Sequence, residues 1–522
     1  MTDISQNALS LLKQRYFHEG ENWESLIDRV VDNVCVEAVE SKETIRQLLL
    51  DRVFLPNSPV LANAGTTNGG LLACFVRYPE DTLEDSFEAI KDIASVAKRG
   101  GGCGWSSTKL RPKGAKVAGS AHGTAYGANR FSEIVSFAMD AITQNGLRKF
   151  AGMYTLSGYH DEIEDFIGLK QGDDPLSCYN FNQSVMITDE WMNNALKPET
   201  QESRLFDMIA RHAWNNGEPG MMFETTINEN TPYKYSNQYL YGSNPCSEQT
   251  LPNYGACCLA SINLNHDYFN SNGYFDYTKL EEVTVCVTQF LNDVGTVNTF
   301  PNEKFADWYS QNRPIGIGIM GLADVFLRYG VEYGEQYSFD FLNNLLRAIY
   351  QSAKEESERL GDLLGVPDSC SVLPEPRRNI TLLSIAPTGS IAIIADCSHG
   401  IEPIFSPSFK RIDERGKEYL FVHPKANEDY FVSAIGQKQP TWKQQIDLLK
   451  VCYDWVDSGV SKTINLPNDA TVQTVKDCFT YAWQSGVKGL TVYRDGSRSF
   501  QILNDMPTEN DSSECPSGVC NL

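Results

Sequence analysis

The feature that most constrains the fold is a regular alternation of short apolar runs with longer amphipathic segments. The short runs have the length of strands, as in "GLLACFV", "SVMIT", "NITLLSIA" and "GLTVY". The longer segments have the spacing of helices, as in "EDSFEAIKDIASVAKR" and "FDFLNNLLRAIYQSAKEESERLGDLLG". This alternation predicts an α/β protein with many parallel strands.

Both ends of the chain differ from this middle part. Residues 1–55 space their apolar residues three and four apart, in "NWESLIDRVVDNVCVEA" and "SKETIRQLLLDRVF", which predicts a short helical segment. Residues 501–522 are polar and contain Pro, Gly and Ser, which is typical of a flexible tail. We therefore expect three parts, with boundaries at residues 1–55, 56–500 and 501–522.

Length and charge exclude several classes of protein. The 522 residues suffice for one large core or for two to three domains, and the net charge of −23 disfavours binding to nucleic acid or to an anionic membrane. The sequence has no apolar run of about 18 residues and no signal peptide at its start. We expect a cytoplasmic protein without a membrane span.

A cysteine in the stretch "NPCSE" is the strongest candidate for chemistry. Asn244 and Glu248 lie two residues to either side of Cys246, so in an extended loop all three side chains would face one ligand. The carboxylate suits a general base and the amide suits a hydroxyl. Because a nearby carboxylate raises the pKa of a thiol, the arrangement disfavours an ordinary thiolate nucleophile and leaves room for one-electron sulfur chemistry.

The 14 cysteines also allow roles other than the catalytic one of Cys246. The pairs with two intervening residues that zinc sites and thioredoxin-like sites need are absent, so no metal site is expected. Cys515 and Cys520 enclose a short loop with Gly518, which fits either an inert tail or a carrier of reducing equivalents by thiol–disulfide exchange. Six cysteines in apolar contexts are interpreted as core residues: Cys35, Cys178, Cys286, Cys370, Cys452 and Cys478.

Three stretches are candidates for phosphate binding. In "NITLLSIAPTGSIAIIA" a strand is followed by a Gly-containing turn and a possible helix, which fits either a phosphate site or an ordinary strand–turn–helix junction. "LPNSPVLANAG" places Asn57 and Ser58 before a proline, a common turn. "KRGGGCGWSS" is rich in glycine but lacks the spacing of a dinucleotide fingerprint.

Taken together and in order, these stretches resemble the catalytic subunit of a ribonucleotide reductase from about residue 54 to the C-terminus. The motifs that carry the resemblance are "LPNSPVLANAGT", "ACFV", "GGGCGWSSTKLRPKG", "NPCSE", "CLASINL", "RPIGIGIMGLAD", "APTGSIAIIADCSHGIEPIF", "GLTVYRDGSR" and the two tail cysteines. The resemblance implies a ten-stranded α/β barrel of two parallel five-stranded halves, with a central finger loop that carries the radical cysteine. The implied activity is the reduction of ribonucleotides to 2′-deoxyribonucleotides, the precursors of DNA.

The resemblance also implies roles for single residues. Cys246 becomes the thiyl radical that removes the 3′-hydrogen, Glu248 takes the proton of the 3′-hydroxyl, and Asn244 holds the substrate hydroxyls. Cys74 and Cys257 form the pair that is oxidised to a disulfide as the 2′-hydroxyl leaves as water. Cys258 is the alternative to Cys257, and Cys257 is preferred because the cysteine of the family is followed by one residue and then by "LxSINL".

Binding partners follow from the same resemblance. The implied contacts to the substrate, a ribonucleoside di- or triphosphate, come from Ser58, Ala73, Pro387, Thr388, Gly389, Ser390 and Ile391. Cys515 and Cys520 would reduce the disulfide again and be reduced by thioredoxin or glutaredoxin. Asp81 and Arg148 fall at positions that serve a nucleotide effector (dNTP or ATP) at a homodimer interface, although "LRKF" departs from the usual small, Gly-rich form of that loop. No N-terminal ATP-cone is expected.

The source of the radical is inferred from the stretch around Val492. Large subunits that receive a radical from a separate metal-bearing subunit are expected to hold two adjacent tyrosines there, whereas this chain has Val492 followed by Tyr493. "TVYRDGSR" resembles the adenosylcobalamin-dependent class, and no D-x-H-x-x-G motif for a histidine on cobalt is present. The alternatives are a large subunit that needs such a partner and a nucleotide-binding relative without catalysis.

Overall fold

A computed structural model describes residues 4–36, 42–67, 69–144, 148–170, 181–412, 418–423, 425–426, 428–434, 438–497 and 503–505. Cys178, Cys515 and Cys520 therefore lie outside the described residues, as does the side chain of Arg148. Among the described helices none combines the length and the apolar character that crossing a membrane requires.

The α-helices, in chain order, are α1 (Gln6–Arg15), α2 (Trp23–Val34), α3 (Lys42–Leu50), α4 (Ser58–Asn63), α5 (Leu83–Lys98), α6 (Ala128–Asp140), α7 (Ile163–Ile167), α8 (Asp189–Ala195), α9 (Gln201–Asn216), α10 (Glu224–Glu229), α11 (Tyr277–Val297), α12 (Glu303–Asn312), α13 (Leu322–Arg328), α14 (Gln336–Leu364), α15 (Asp368–Ser371), α16 (Ile391–Ala395), α17 (Trp442–Tyr453) and α18 (Val472–Gln484). Short 3-10 helices span Pro232–Ser236 and Asp267–Phe269.

The strands, in chain order, are β1 (Phe54–Pro56), β2 (Cys74–Arg77), β3 (Gly102–Ser106), β4 (Thr143–Gln144), β5 (Arg148–Lys149), β6 (Gly152–Ser157), β7 (Phe181–Ile187), β8 (Gly220–Phe223), β9 (Ala256–Asn263), β10 (Asn270–Ser271), β11 (Tyr274–Phe275), β12 (Ile315–Met320), β13 (Ser408–Ile412), β14 (Glu418–Val422), β15 (Thr463–Leu466), β16 (Gly489–Arg494) and β17 (Leu503–Asp505).

The main sheet is a barrel made of two parallel halves. The first half runs β2–β3–β6–β7–β8, with every neighbouring pair parallel. The second half contains β9 and β12, which are parallel, and β15 and β16, which are also parallel. The halves meet through antiparallel contacts of β2 with β9 and of β8 with β16. The predicted fold class, an α/β barrel of two parallel five-stranded halves, is confirmed.

The strand pairing that closes the second half is less regular than the sequence predicts. The stretch "NITLLSIA", expected as a strand, joins β12 and β15 only through isolated parallel bridges, Ile317 with Leu383 and Ile385 with Val460. We call residues 382–385 and 457–460 the seam of the barrel. The seam supplies the fifth strand of the second half. Its main-chain hydrogen bonds, such as those from the amide of Ser384 to Ile317 and from the amide of Ile385 to Gly459, do not form a continuous ladder.

Alternating side chains separate the barrel interior from the outer core. On β9, Cys257 and Leu259 join an interior cluster with Cys74 and Val76 of β2. Their neighbours Cys258 and Ala260 belong to the larger core between the barrel and its surrounding helices. Because side chains of a strand alternate between its two faces, adjacent cysteines are placed in different environments.

A hairpin-like loop enters the barrel between α10 and β9. We call residues 243–250, which are joined by an antiparallel bridge of Ser243 with Thr250, the finger loop. A Cβ atom on Gly104 of β3 would lie only 1.9 Å from the carbonyl oxygen of Ser243, and one on Gly459 would lie 2.3 Å from that of Ser247. The loop therefore packs against main chain from both halves of the barrel, in gaps that only glycine leaves.

This packing predicts a large effect of one methyl group. Gly104→Ala is expected to destabilise the protein by about 2–3 kcal/mol, because the new Cβ must displace the finger loop or β3. Urea unfolding measures the change. Gly168→Ala is the control, since its nearest atom, the carbonyl oxygen of Asp165, lies at an ordinary 3.5 Å. Equal stability of Gly104→Ala and the control would contradict the close packing.

Candidate active site

The tip of the finger loop is a tight turn. The amide of Ser247 donates to the carbonyl of Asn244 at 3.2 Å, and the amide of Asn244 donates to the carbonyl of Gln249 at 2.9 Å. Ser247 has a φ of 65°, in the left-handed region that non-glycine residues rarely adopt. The expectation of an extended loop was wrong, since these hydrogen bonds fold the chain back on itself within a few residues.

Asn244 and Glu248 nevertheless converge, and they do so on Cys74. The side-chain amide of Asn244 donates to Cys74 Sγ at 3.0 Å, and Cys74 Sγ lies 3.7 Å from Glu248 Oε1. The Asn244 Oδ1 atom accepts from the amide of Gln249 at 3.0 Å, which fixes the plane of the Asn244 side chain. The turn thus brings an amide and a carboxylate to one buried thiol.

Glu248 lies in a low-polarity environment. Its residue is 3% exposed, and Glu248 Oε2 is buried without a hydrogen-bond partner. Burial raises the pKa of Glu248 to about 7, while hydrogen bonds from its own backbone, from Asn244 and from Cys74 act in the opposite direction. A carboxyl group with such a pKa can both accept and release a proton near neutral pH.

Cys74 and Cys257 face each other across neighbouring strands. They are paired Cα partners in the antiparallel contact of β2 with β9, and both side chains are buried in the barrel interior. Burial, with added repulsion from neighbouring thiols and from Glu248, raises the pKa of both thiols well above the ordinary value. The two sulfurs therefore carry their protons at neutral pH.

Cys258 points away from this pair. Its sulfur lies 3.4 Å from the carbonyl oxygen of Leu291 and 3.7 Å from Tyr309 Oη, on the outer face of β9. Burial raises the pKa of Cys258 to about 11. Cys258 is separated from Cys74 by the strand itself.

Cys246 occupies the tip of the turn. Among the cysteines that the structure describes, Cys246 alone is exposed, whereas Cys74, Cys257 and Cys258 are all buried. Asn182 of β7 fixes the preceding residue, because its side-chain amide donates to the carbonyl of Pro245 at 2.7 Å. The site thus offers one accessible thiol and, behind it, two inaccessible ones.

Sequence reasoning missed the groups that hold the finger loop. Besides Asn182, they are Gly104, Ser384 and Gly459: Ser384 Oγ and the amide of Gly459 both donate to the carbonyl of Glu248, at 2.7 Å and 2.8 Å. The available signal was the alternation of glycines in "GGGCGWSS", because glycine on one face of a strand indicates close approach of another backbone. As a dinucleotide fingerprint the stretch is weak, and only the structure shows that it makes room for the finger loop.

The predicted substrate-binding residues, apart from Ala73, lie on two short helices and their turns. Ser58 begins α4, and its hydroxyl lies 2.8 Å from that of Tyr16. Thr388 has a φ of 54°, and its hydroxyl accepts from the amide of Gly400 at 2.8 Å. Pro387, Gly389 and Ser390 form the same turn, and Ile391 starts α16, which packs against β1. Ala73 is half-buried and directly precedes Cys74.

The predicted effector residues lie away from the finger loop. Asp81 precedes α5 and forms an ion pair with Arg111, whose Nε lies 2.8 Å from Asp81 Oδ2. Arg148 stands in β5, where its backbone pairs with Gln144 of β4. Among the described residues, no group of three or more His, Cys, Asp or Glu side chains could hold a metal ion.

Fold and site together define a class: a two-half α/β barrel that brings a finger-loop carboxylate and an exposed thiol to a buried pair of cysteines. The chain matches the family model described as "Ribonucleotide reductase, barrel domain" over residues 72–203, 195–368 and 371–493. It also matches the model described as "Ribonucleotide reductase, all-alpha domain" over residues 2–69. The chain belongs to the ribonucleotide reductase family.

Individual relatives agree with this assignment. A protein of Mycobacterium tuberculosis (strain CDC 1551 / Oshkosh) named vitamin B12-dependent ribonucleoside-diphosphate reductase is 33% identical, over 96% of this chain and 81% of the relative. A protein of the same name from Thermoplasma acidophilum is 34% identical, over 88% of this chain and 66% of the relative. The solved alpha subunit of the Actinobacillus ureae class Id ribonucleotide reductase has the same fold, with a TM-score of 0.80, 18% identity and coverage of 94% and 97% of the two chains.

The burial of Glu248 predicts a pH-dependent stability effect. Its pKa is about 7 in the folded protein and 4.5 without the shift, so the penalty for ionising it is absent below pH 4.5, grows as pH rises and is complete above pH 7. Glu248→Gln is expected to raise the free energy of unfolding by about 3 kcal/mol at pH 8 and to change it little at pH 4.5.

Urea unfolding of both proteins at the two pH values measures this difference. Glu281→Gln, at an exposed position of α11, is the matched control and should leave stability unchanged at both. A stability gain of Glu248→Gln that is the same at pH 4.5 and pH 8 would contradict the burial of an ionising carboxyl group.

Proposed function

We propose that this chain reduces ribonucleotides to 2′-deoxyribonucleotides by a thiyl-radical mechanism that depends on adenosylcobalamin. The observation that carries the proposal is the pairing of Cys74 with Cys257 on β2 and β9, with Asn244 and Glu248 in contact with Cys74 and with Cys246 exposed at the tip of the same turn. The groups proposed to act on the sugar are held by one short loop and two strands.

In the first step the Cys246 thiyl radical removes the 3′-hydrogen of the ribose. Glu248 accepts the proton of the 3′-hydroxyl, which requires its ionised form and so favours pH values near or above 7. The side-chain amide of Asn244, which donates to Cys74 in this structure, donates to the substrate hydroxyls instead, while Asn244 Oδ1 keeps its bond from the amide of Gln249. The unpartnered Glu248 Oε2 atom is the free acceptor in this environment.

In the second step the 2′-hydroxyl leaves as water, and Cys74 and Cys257 together supply two electrons and two protons. The carbon–oxygen bond breaks, a sulfur–sulfur bond forms, and Cys246 returns its hydrogen atom to the 3′-carbon. Directly opposed residues of antiparallel strands have Cβ atoms about 4.5–5.5 Å apart, close to the separation of about 3.8 Å in a disulfide. The raised pKa of both thiols keeps the two protons in place until they are needed.

The substrate is a ribonucleoside diphosphate in this proposal. Relatives 33–34% identical to this chain are named diphosphate reductases. Ser58, Ala73 and the turn at residues 387–391 contact the substrate, with Ser58, Thr388, Ser390 and nearby amides on its phosphates. In support, α16 packs against β1, which leads directly into α4, so both turns belong to neighbouring elements.

The residues around Cys246 fit adenosylcobalamin as the radical source. Cys246 is open to a large group, while the reducing thiols are closed off in the barrel interior, which protects them from the same group. Position 492 holds a buried valine, so a pair of adjacent tyrosines is absent there. When bound, the cofactor would supply the radical chemistry that removes the hydrogen atom of the Cys246 thiol, and the protein would position that sulfur. Relatives of this chain carry "vitamin B12-dependent" in their names.

The tail restores the dithiol after each turnover. Cys515 and Cys520 reduce the Cys74–Cys257 disulfide by thiol–disulfide exchange and are then reduced by thioredoxin or glutaredoxin. Such a carrier is needed because Cys74 and Cys257 are both buried, so an external protein cannot reach them directly. In this proposal the chain consists of a helical segment at residues 1–55, the barrel at residues 56–500 and the redox tail at residues 501–522.

A homodimer with an effector site completes the proposal. The packed helices α5 and α6 leave Leu83, Phe87 and Phe137 exposed by 61%, 52% and 48%, an apolar surface that a second copy of the chain would cover. Asp81 lies at the start of α5, and Arg148 stands in the following β5 region. Both residues would respond to a nucleotide bound at this interface.

Reconstitution tests the reaction and its cofactor. The purified chain, given adenosylcobalamin, a small dithiol and a ribonucleoside diphosphate, is expected to form the deoxyribonucleotide without a second protein.

Cys246→Ser should abolish turnover, because the hydroxyl does not form the radical, while leaving nucleotide binding intact. Cys286→Ser on α11 is the control. Activity that appears only after a metal-bearing subunit is added would overturn the cofactor assignment, and turnover by Cys246→Ser would overturn the mechanism.

The tail is tested by changing the reductant. Cys515→Ser is expected to keep wild-type turnover with a small dithiol, which diffuses to the disulfide, and to lose nearly all turnover with thioredoxin. Multiple-turnover assays of deoxyribonucleotide formation with each reductant measure the two activities. Equal loss with both reductants, or none with either, would contradict the shuttle role.

A further inference from the structure

The seam of the barrel holds a buried lysine and a half-buried aspartate. Lys488, which directly precedes β16, is 3% exposed, and its ammonium group donates to the carbonyls of Asp457 and of Ser458, the latter at 2.8 Å. The Asp457 Oδ2 atom accepts from the amides of Leu382 and Leu383, at 2.5 Å and 3.3 Å. The pair therefore ties three segments together where the strands form only isolated bridges.

The same seam holds the carbonyl of Glu248. The amide of Gly459 and the hydroxyl of Ser384 are its two donors, and each lies within two residues of a group that Lys488 or Asp457 holds. We propose that Lys488 and Asp457 are positioning residues of the reaction, which act through Gly459 and Ser384 to hold the carboxylate of Glu248 in place. This inference rests on the proposed function of Glu248.

The contacts of Lys488 explain why a lysine stands at this place. A buried ammonium group needs acceptors, and the two carbonyls it finds are those of the residues just before Gly459. Burial lowers the pKa of Lys488 to about 7, an effect that the neighbouring Asp457 opposes. Arg377 and Lys488 are the cations that act on Asp457, and the thiol of Cys74 faces the Glu248 carboxyl group. Removing the ammonium leaves the main-chain carbonyls of Asp457 and Ser458 without their donor, and it leaves Arg377 as the remaining cation that acts on the Asp457 carboxylate.

Lys488→Met tests the inference, because it keeps the length of the side chain and removes the charge. We expect kcat to fall about tenfold or more while KM changes less than about twofold, since the substrate contacts lie elsewhere. The acid limb of the kcat profile should move below pH 7, because a loosened Glu248 gains water and its pKa falls toward 4.5. Lys476→Met, which removes a lysine from an ion pair with Asp207 on the outer helices, should change neither.

A second variant and a spectroscopic measurement test the positioning role even if Lys488→Met does not fold. Ser384→Ala removes one donor to Glu248 without disturbing a buried charge, so it should shift the acid limb in the same direction even if Lys488→Met does not fold. The infrared band of the protonated Glu248 carboxyl group, identified by its loss in Glu248→Gln, reports the same titration without turnover. A wild-type enzyme that forms no deoxyribonucleotide would refute the proposed function alone. An unchanged Glu248 titration in the folded Lys488→Met protein or, if that protein does not fold, in Ser384→Ala would refute the positioning role.

Discussion

The passage of the finger loop through the barrel is the constraint on which the rest of the site depends. The carbonyl oxygen of Ser243 fits against β3 only because residue 104 has no side chain, and the carbonyl of Ser247 fits against Gly459 for the same reason. These contacts come from opposite halves of the barrel. The position of Glu248 and Cys246 is therefore set by the closure of the whole barrel rather than by the loop sequence alone.

The loop carries its groups into an interior whose low polarity decides their protonation. A carboxyl group and two thiols lie together there, each favouring the neutral form because each is buried and because a charge on one opposes a charge on the others. Such a group of side chains is poorly suited to thiolate chemistry. It is well suited to reactions in which hydrogen atoms and protons move together, and this agrees with the disfavoured thiolate inferred from Glu248 in the sequence.

The sequence indicates which residues matter more readily than how they meet. Alternating apolar segments predict the α/β architecture, because that pattern depends on burial that is local along the chain. The convergence of Asn244 and Glu248 was expected from an extended loop, but it arises from a turn with Ser247 in a left-handed conformation, which no residue preference indicates. Similarly, "ACCLAS" shows two adjacent cysteines on opposite faces of a strand, yet only the pairing of β2 with β9 shows that Cys257 shares a face with Cys74.

The irregular strand pairing at the seam is the feature that the sequence predicts least, and it has a physical reason. In a regular strand the amides donate hydrogen bonds to the neighbouring strands, as the amide of Ile385 does to the carbonyl of Gly459. The amide of Gly459, by contrast, is directed to Glu248 in the middle of the barrel, so the ladder is interrupted there. The buried contact between Lys488 and the carbonyls of Asp457 and Ser458 offsets the lost regularity, through residues about thirty positions apart that no local pattern connects. A barrel closed by continuous strands would be more regular, but it would have no main-chain donor left at this point for the carbonyl of Glu248, the residue whose carboxylate acts on the substrate.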